Sequence, residues 1–145
     1  MSSLSQLLEP TRRPAVVADL RVAAEQAVSS QSGITGMALK GAVAAATKID
    51  AEIIAKALHR MLPEILNELE SYWQEFEATE PTDFGAFLAG RGTEVTESLM
   101  KVADRNAEQV NNAALSKTYS TLRGKASKVV EPQIPKLGRI LQKHM

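Results

Sequence analysis

Between Ile54 and Phe76 the apolar residues Ile54, Leu58, Met61, Leu62, Ile65, Leu66, Leu69, Tyr72, Trp73 and Phe76 recur at intervals of three and four, while Glu64, Asn67, Glu68, Ser71 and Glu75 fall on the opposite side. Only an α-helix gathers residues at those intervals onto one face; a strand would point every second one away. Asp50 is a suitable N-cap, so the spacing predicts a helix over 51–78. Pro63 lies on the polar side, where its missing N–H bends the helix but leaves the apolar stripe in phase.

The rest of the chain is patterned in the same way. No sustained two-residue alternation occurs, and no Asn-Gly or Asp-Gly hairpin signal is present. After the break at "EPTD", Asp83 caps a helix over 84–109 whose Phe84, Phe87, Leu88, Val95, Leu99 and Val102 share a face if it runs straight through "AGRG". Gly90 and Gly92 each cost roughly 1 kcal/mol there against alanine, so a local kink is expected. Asn112 caps a helix over 112–130 with Leu115, Tyr119, Leu122, Ala126 and Val129 inward. Pro132 or Pro135 then opens a last helix over 133–144. In front, Leu4, Leu7 and Leu8 make a short turn over 3–9, and a helix over about 12–30 turns Val16, Leu20, Ala24 and Ala27 inward. The expected fold is all-α, an irregular bundle of five to six helices forming a single domain over 1–145.

The segment "SGITGMALKGAVAAATKID" has three competing explanations. A phosphate loop needs a preceding strand and Lys-Ser/Thr after the second glycine, where Ala42 and Val43 stand. A membrane span needs about 20 strongly apolar residues; this segment is mainly alanine, with Lys40 in its middle. The third explanation is a slim helix over 34–48, apolar on most of its circumference, with only Gly36, Lys40 and Thr47 forming a polar wedge. Such a helix is expected to be buried at the centre of the bundle, with Lys40 among the few residues reaching water.

Composition excludes several chemistries. With no cysteine, disulfides, thiolate catalysis and cysteine zinc sites are ruled out. The net charge is zero, so no global field favours nucleic acid. "TRRPAVV" superficially resembles a twin-arginine export signal, but Asp19, Arg21 and Glu25 interrupt the region that would have to be apolar. A cytoplasmic location is therefore expected, with no transmembrane segment.

The neutral total divides unevenly. Residues 50–104 carry twelve acids and four bases, whereas residues 111–145 carry one acid and seven bases. Lys136, Arg139 and Lys143 line one face of the last helix and form a candidate anion-binding face. Three charges neutralise few phosphates, and no aromatic is placed to stack a base, so a nucleic-acid partner is not expected. Glu64, Glu68 and Glu75 share a face that could hold a divalent cation, yet no Glu-x-x-His accompanies them; a solvated acidic face is the expected outcome. His59 flanks the apolar stripe without a nucleophile or carboxylate at a spacing suited to base chemistry. Arg91 projects onto an apolar stripe, between Leu88 and Val95, and so requires either an acid from the 51–78 helix, exposure at the kink, or an anionic ligand. It is the candidate ligand or ion-pair position.

The stretches "SGITGMALKGA", "LHRMLPEIL", "FGAFLAGRG" and "NNAALSKTYSTLRGKA" resemble a small all-helical actinobacterial family of unknown function, over most of the chain from about residue 14. The resemblance implies a compact helical domain and carries no activity. No arrangement of nucleophile, base and oxyanion donors can be assembled, and no metal or cofactor is expected. The favoured function is a non-enzymatic helical interaction or scaffold protein, including a homodimer that covers surplus apolar helix face. The alternatives are anion or nucleic-acid binding through the basic C-terminal helices, and binding of a small apolar ligand or lipid within the bundle.

Overall fold

The computed structural model describes residues 2–79 and 82–145. Among them the chain forms α1 (Arg13–Ser29), α2 (Gly33–Ile49), α3 (Ile53–Thr79), α4 (Phe84–Ala89), α5 (Gly92–Ala107), α6 (Ala113–Val130) and α7 (Ile134–His144), with 3-10 turns at Leu4–Leu8 and Glu131–Gln133 and no strand. The architecture is the all-α bundle expected from the periodicity. Glu80 and Pro81, the first half of the "EPTD" break, lie outside the described residues. No helix among the described residues is long and apolar enough to cross a membrane.

The central helix is α3. Leu62, Ile65, Leu66, Leu69, Trp73 and Phe76 are buried along it and pack with Leu4 and Leu7 of the first turn, Val16 and Leu20 of α1, and Phe84 and Leu88 of α4. Trp73 meets Phe84 edge to face at 4.9 Å between ring centroids, and Phe76 lies 5.1 Å from Phe84. The first turn is tied to the same helix by polar contacts: the Leu4 amide donates to Glu70 Oε2 at 2.8 Å, and Trp73 Nε1 donates to Ser2 Oγ at 3.1 Å. Asp83 caps α4 by accepting from the Ala86 amide at 3.2 Å. Across from it, α4 and α7 approach through Gly85 and Gly138. A Cβ at Gly138 would lie 2.6 Å from the Gly85 Cα, and one at Gly85 would lie 2.2 Å from the Pro135 carbonyl oxygen.

Two expectations are corrected. The helix expected over 84–109 is two helices: α4 ends at Ala89 with Gly90 as its C-cap, and Arg91, at φ −127° and ψ 30°, leaves helical geometry before α5 begins. Helical phase survives a one-residue interruption, which is why the apolar spacing reads through it. More consequentially, the alanine- and glycine-rich α2 is not the buried centre of the bundle. Only Gly36 and Leu39 are buried on it, while Ile34 is 83% exposed and Met37 77%. Covering alanine and glycine removes little apolar area, whereas each large aliphatic or aromatic side chain gains roughly 1.5–3 kcal/mol on full burial, so α3 takes the middle. α2 lies against α1, α3 and α6 instead. Its start is fixed by Gly33, at φ +68°, and by Gly36, where a Cβ would come within 2.5 Å of the Gln31 carbonyl oxygen.

The bundle thus has two unlike ends. Around the C-terminal half of α3 the side chains are large and buried. Around its first turns the neighbour is α2, which in turn packs on α6, and α6 buries no residue fully.

Candidate functional site

At that second end a cleft of about 410 Å³ opens between α2, α3, α5 and α6. Its walls are short. Ala42 and Ala46 come from α2, Ala57 from α3, and Ala103 and Ala107 from α5. Larger side chains elsewhere along these helices set how closely they approach, so where only methyl groups face one another space is left that leucines would fill. Further apolar surface comes from Val43 of α2, Ile53, Ile54 and Met61 of α3, Val110, and Leu115 and Leu122 of α6.

Polar groups stand at the edges. Tyr119 lines the cleft and donates its hydroxyl to Asp104 Oδ1. Arg123 grips the same carboxylate, Nε to Oδ1 at 2.8 Å and Nη2 to Oδ2 at 3.2 Å, so α5 and α6 are clamped along one side. The Arg123 hydrogen bonds, then that from Tyr119, hold Asp104 below the usual carboxylate range. Burial, followed by the hydrogen bond to Asp104, pushes the Tyr119 phenol well above its ordinary value, so it stays protonated. Lys56 and Arg60 also line the cleft, one turn apart on α3. Lys56 Nζ pairs with Asp50 Oδ2 at 2.6 Å, and Arg60 Nη2 donates to Gln109 Oε1 at 2.6 Å. Asn106 Nδ2 donates to Glu64 Oε2 at 2.9 Å.

The residues singled out in the sequence lie elsewhere. Arg91 donates to both carboxylate oxygens of Glu75, Nη1 to Oε2 at 2.6 Å, with its guanidinium 4.8 Å from the Phe87 ring centroid. It turns off the apolar stripe because the helix breaks at that residue. Glu75 is held below the ordinary carboxylate range by the Arg91 hydrogen bonds. Each of the three cations of the last helix has a partner within the chain, though Arg139 and Lys143 stay exposed: Lys136 donates to Gln26, Arg139 lies 3.3 Å from Asp83, and Lys143 lies 3.3 Å from Asp19. Glu64 and Glu68 stand 3.8 and 3.6 Å from Arg105. Among the described residues no group of three or more His, Cys, Asp or Glu side chains could hold a metal ion. His59 is exposed, and its contribution is through the backbone, where its carbonyl accepts from Arg13.

Sequence reasoning missed the cleft as a site. Leu115, Tyr119 and Leu122 read as one inward face, but nothing in the spacing of Ala57, Ala103 and Ala107 on the neighbouring helices marks them as facing it. The available signal was that three separate helices, α2, α3 and α5, each present alanines toward α6.

No curated protein and no solved structure matches this chain. A family model matches residues 4–145, nearly the whole sequence, and the chain belongs to the family of unknown function DUF6918.

Proposed function

We propose that this chain is a non-enzymatic binding protein that holds a small apolar ligand or lipid in the cleft between α2, α3, α5 and α6. The supporting observation is the cleft itself. At about 410 Å³ it falls in the roughly 300–1,000 Å³ range of small-molecule sites, with apolar walls and a few polar groups at the edge. An apolar ligand entering it gains dispersion contacts with methyl-lined walls and removes those walls from water. Tyr119, the phenol facing the cleft, is committed to Asp104 and kept protonated, which suits an anchoring role better than catalysis. Asp19, Arg21 and Glu25 sit within the folded α1, in keeping with a cytoplasmic location.

The test uses the neutral fluorophore N-phenylnaphthylamine. The expected result is a saturable rise in its emission with the full-length protein, and a thermal midpoint that rises with ligand concentration. Ala46→Trp and Ala107→Phe, which fill the cleft, should abolish the rise. Absence of binding by the parent protein, or undiminished binding by both filled variants that still fold, overturns the reading.

A second reading rests on a different observation. Ile34 and Met37 are exposed one turn apart on the outer face of α2, beside open space at Gly41. This favours a protein partner or second copy covering α2, the scaffold role expected from sequence. Light scattering of the parent and of Met37→Glu checks it: a dimer that the substitution splits supports it, and a monomer in both removes the homodimer. The anion-binding alternative is weakened by the internal partners of Lys136, Arg139 and Lys143.

A further inference from the structure

We infer that the ligand of the cleft is a single alkyl chain ending in a carboxylate, with Arg60 receiving the head group. The inference rests on the proposed binding function and deepens it. Its basis is the charge of the lining. Two cations, Lys56 and Arg60, line the cleft on successive turns of α3, and no aspartate or glutamate does. The two cations differ in their commitments. Lys56 already has Asp50, at 2.6 Å. Arg60 has only a neutral acceptor, the side-chain oxygen of Gln109, and among the described residues no carboxylate lies within ion-pair distance of it. Arg12 and Arg13 also have only neutral acceptors but do not line the cleft, whereas Arg21, Arg91, Arg105, Arg123 and Arg139 each reach an acid.

A guanidinium offers paired donors in a fork that matches a carboxylate, and exchanging a neutral acceptor for an anionic one strengthens the bond. Arg60 is exposed at the edge while Ala57 and Met61, its neighbours on α3, face the apolar interior. An amphiphile entering tail first therefore leaves its head where Arg60 stands and where water still solvates the charge. A cationic amphiphile would meet Lys56 and Arg60 with no lining acid to receive it. The volume, near the lower end for small-molecule sites, favours one chain over two.

The experiment displaces N-phenylnaphthylamine from the full-length protein with laurate, dodecanol or dodecyltrimethylammonium, each below its aggregation concentration, using the parent, Arg60→Gln and Arg60→Lys. Laurate should bind about fivefold or more weakly to Arg60→Gln, with only part of the loss restored in Arg60→Lys, which keeps the charge but not the fork. Dodecanol should bind parent and variant within about twofold, and added salt should weaken laurate alone. Arg60 is exposed, and matching melting curves would establish that Arg60→Gln folds. If Arg60→Gln leaves laurate unchanged, weakens laurate and dodecanol alike, or if dodecyltrimethylammonium binds best, the head-group assignment is wrong while the apolar site stands. If the fluorophore and all three amphiphiles fail to bind, both are wrong.

Discussion

Arg13 Nη2 donates a hydrogen bond of 2.6 Å to the main-chain carbonyl of His59. In a continuous helix that carbonyl would accept from the amide four residues on, but position 63 is proline and has none. A side chain from α1 thus satisfies the acceptor that Pro63 leaves open near the start of the central helix.

The arrangement predicts a coupling. Arg13→Ala should destabilise the protein by about 1–2 kcal/mol, since it removes a charge-assisted bond to a backbone acceptor. In a Pro63→Ala background the helix supplies its own donor, so the same substitution should cost distinctly less. Denaturant unfolding of the four proteins of this cycle measures the difference. Equal costs in both backgrounds would show that Arg13 acts through something other than the His59 carbonyl.

Two sets of glycines differ in what an added methyl would meet. At Gly85 and Gly138 an added methyl meets backbone of the facing helix, at 2.2 and 2.6 Å, and neither obstacle is a side chain that could swing away. Gly138→Ala should therefore cost about 1–3 kcal/mol or more through forced separation of α4 and α7. At Gly41 nothing lies within 4 Å of the added atom, and Gly41→Ala should stabilise by about 0.5–1 kcal/mol through helix propensity alone. Opposite signs in thermal unfolding are the expected outcome.

The placement of α2 separates what patterning encodes from what it does not. The stripe from Ile54 to Phe76 consists of large side chains, and their spacing alone fixes both the helix and its inward face. Caps are equally local: Asp83 accepts from Ala86, and Asn112 from Ala114 and Leu115. On α2 a helical wheel shows which residues are apolar but not how much burial is worth, and alanine's methyl is worth little. Competition for the centre is settled by the largest side chains, which lie on α3. The cleft was still less legible, because it is a lack of side-chain volume contributed by Ala42, Ala57 and Ala103 from three helices that meet only in the folded chain. Arg91 was read onto the stripe because a one-residue break leaves the phase intact.

Burial of α2 can therefore be tested residue by residue. Met37→Glu should change stability by no more than about 0.5 kcal/mol, as at an ordinary surface position. Leu39→Ala, on the buried side of the same helix, should cost about 2–5 kcal/mol, toward the lower end where the neighbours can relax. Similar large losses at both positions in a protein that light scattering shows to be monomeric would place α2 inside the bundle.

The clamp of Tyr119, Asp104 and Arg123 should be visible in the pH dependence of stability, with opposite signs at the two extremes. Asp104 has its folded-state pKa lowered, chiefly by Arg123, so its contribution is present above the unfolded carboxylate value of 3.8 and is lost as pH falls through the lower folded value. Tyr119 has its folded-state pKa raised, so its contribution is present below the unfolded value of 10.0 and fades as pH climbs above it toward the folded value. Denaturant midpoints followed across pH should show Asp104→Asn flattening the acid limb and Tyr119→Phe flattening the alkaline one. Both substitutions loosen one wall of the cleft by removing the hydroxyl–carboxylate contact between α5 and α6. If the cleft binds an apolar ligand, each should weaken N-phenylnaphthylamine binding at pH 7, where neither group changes charge. Loss of pH dependence with binding unaltered would confine the clamp to a stabilising role.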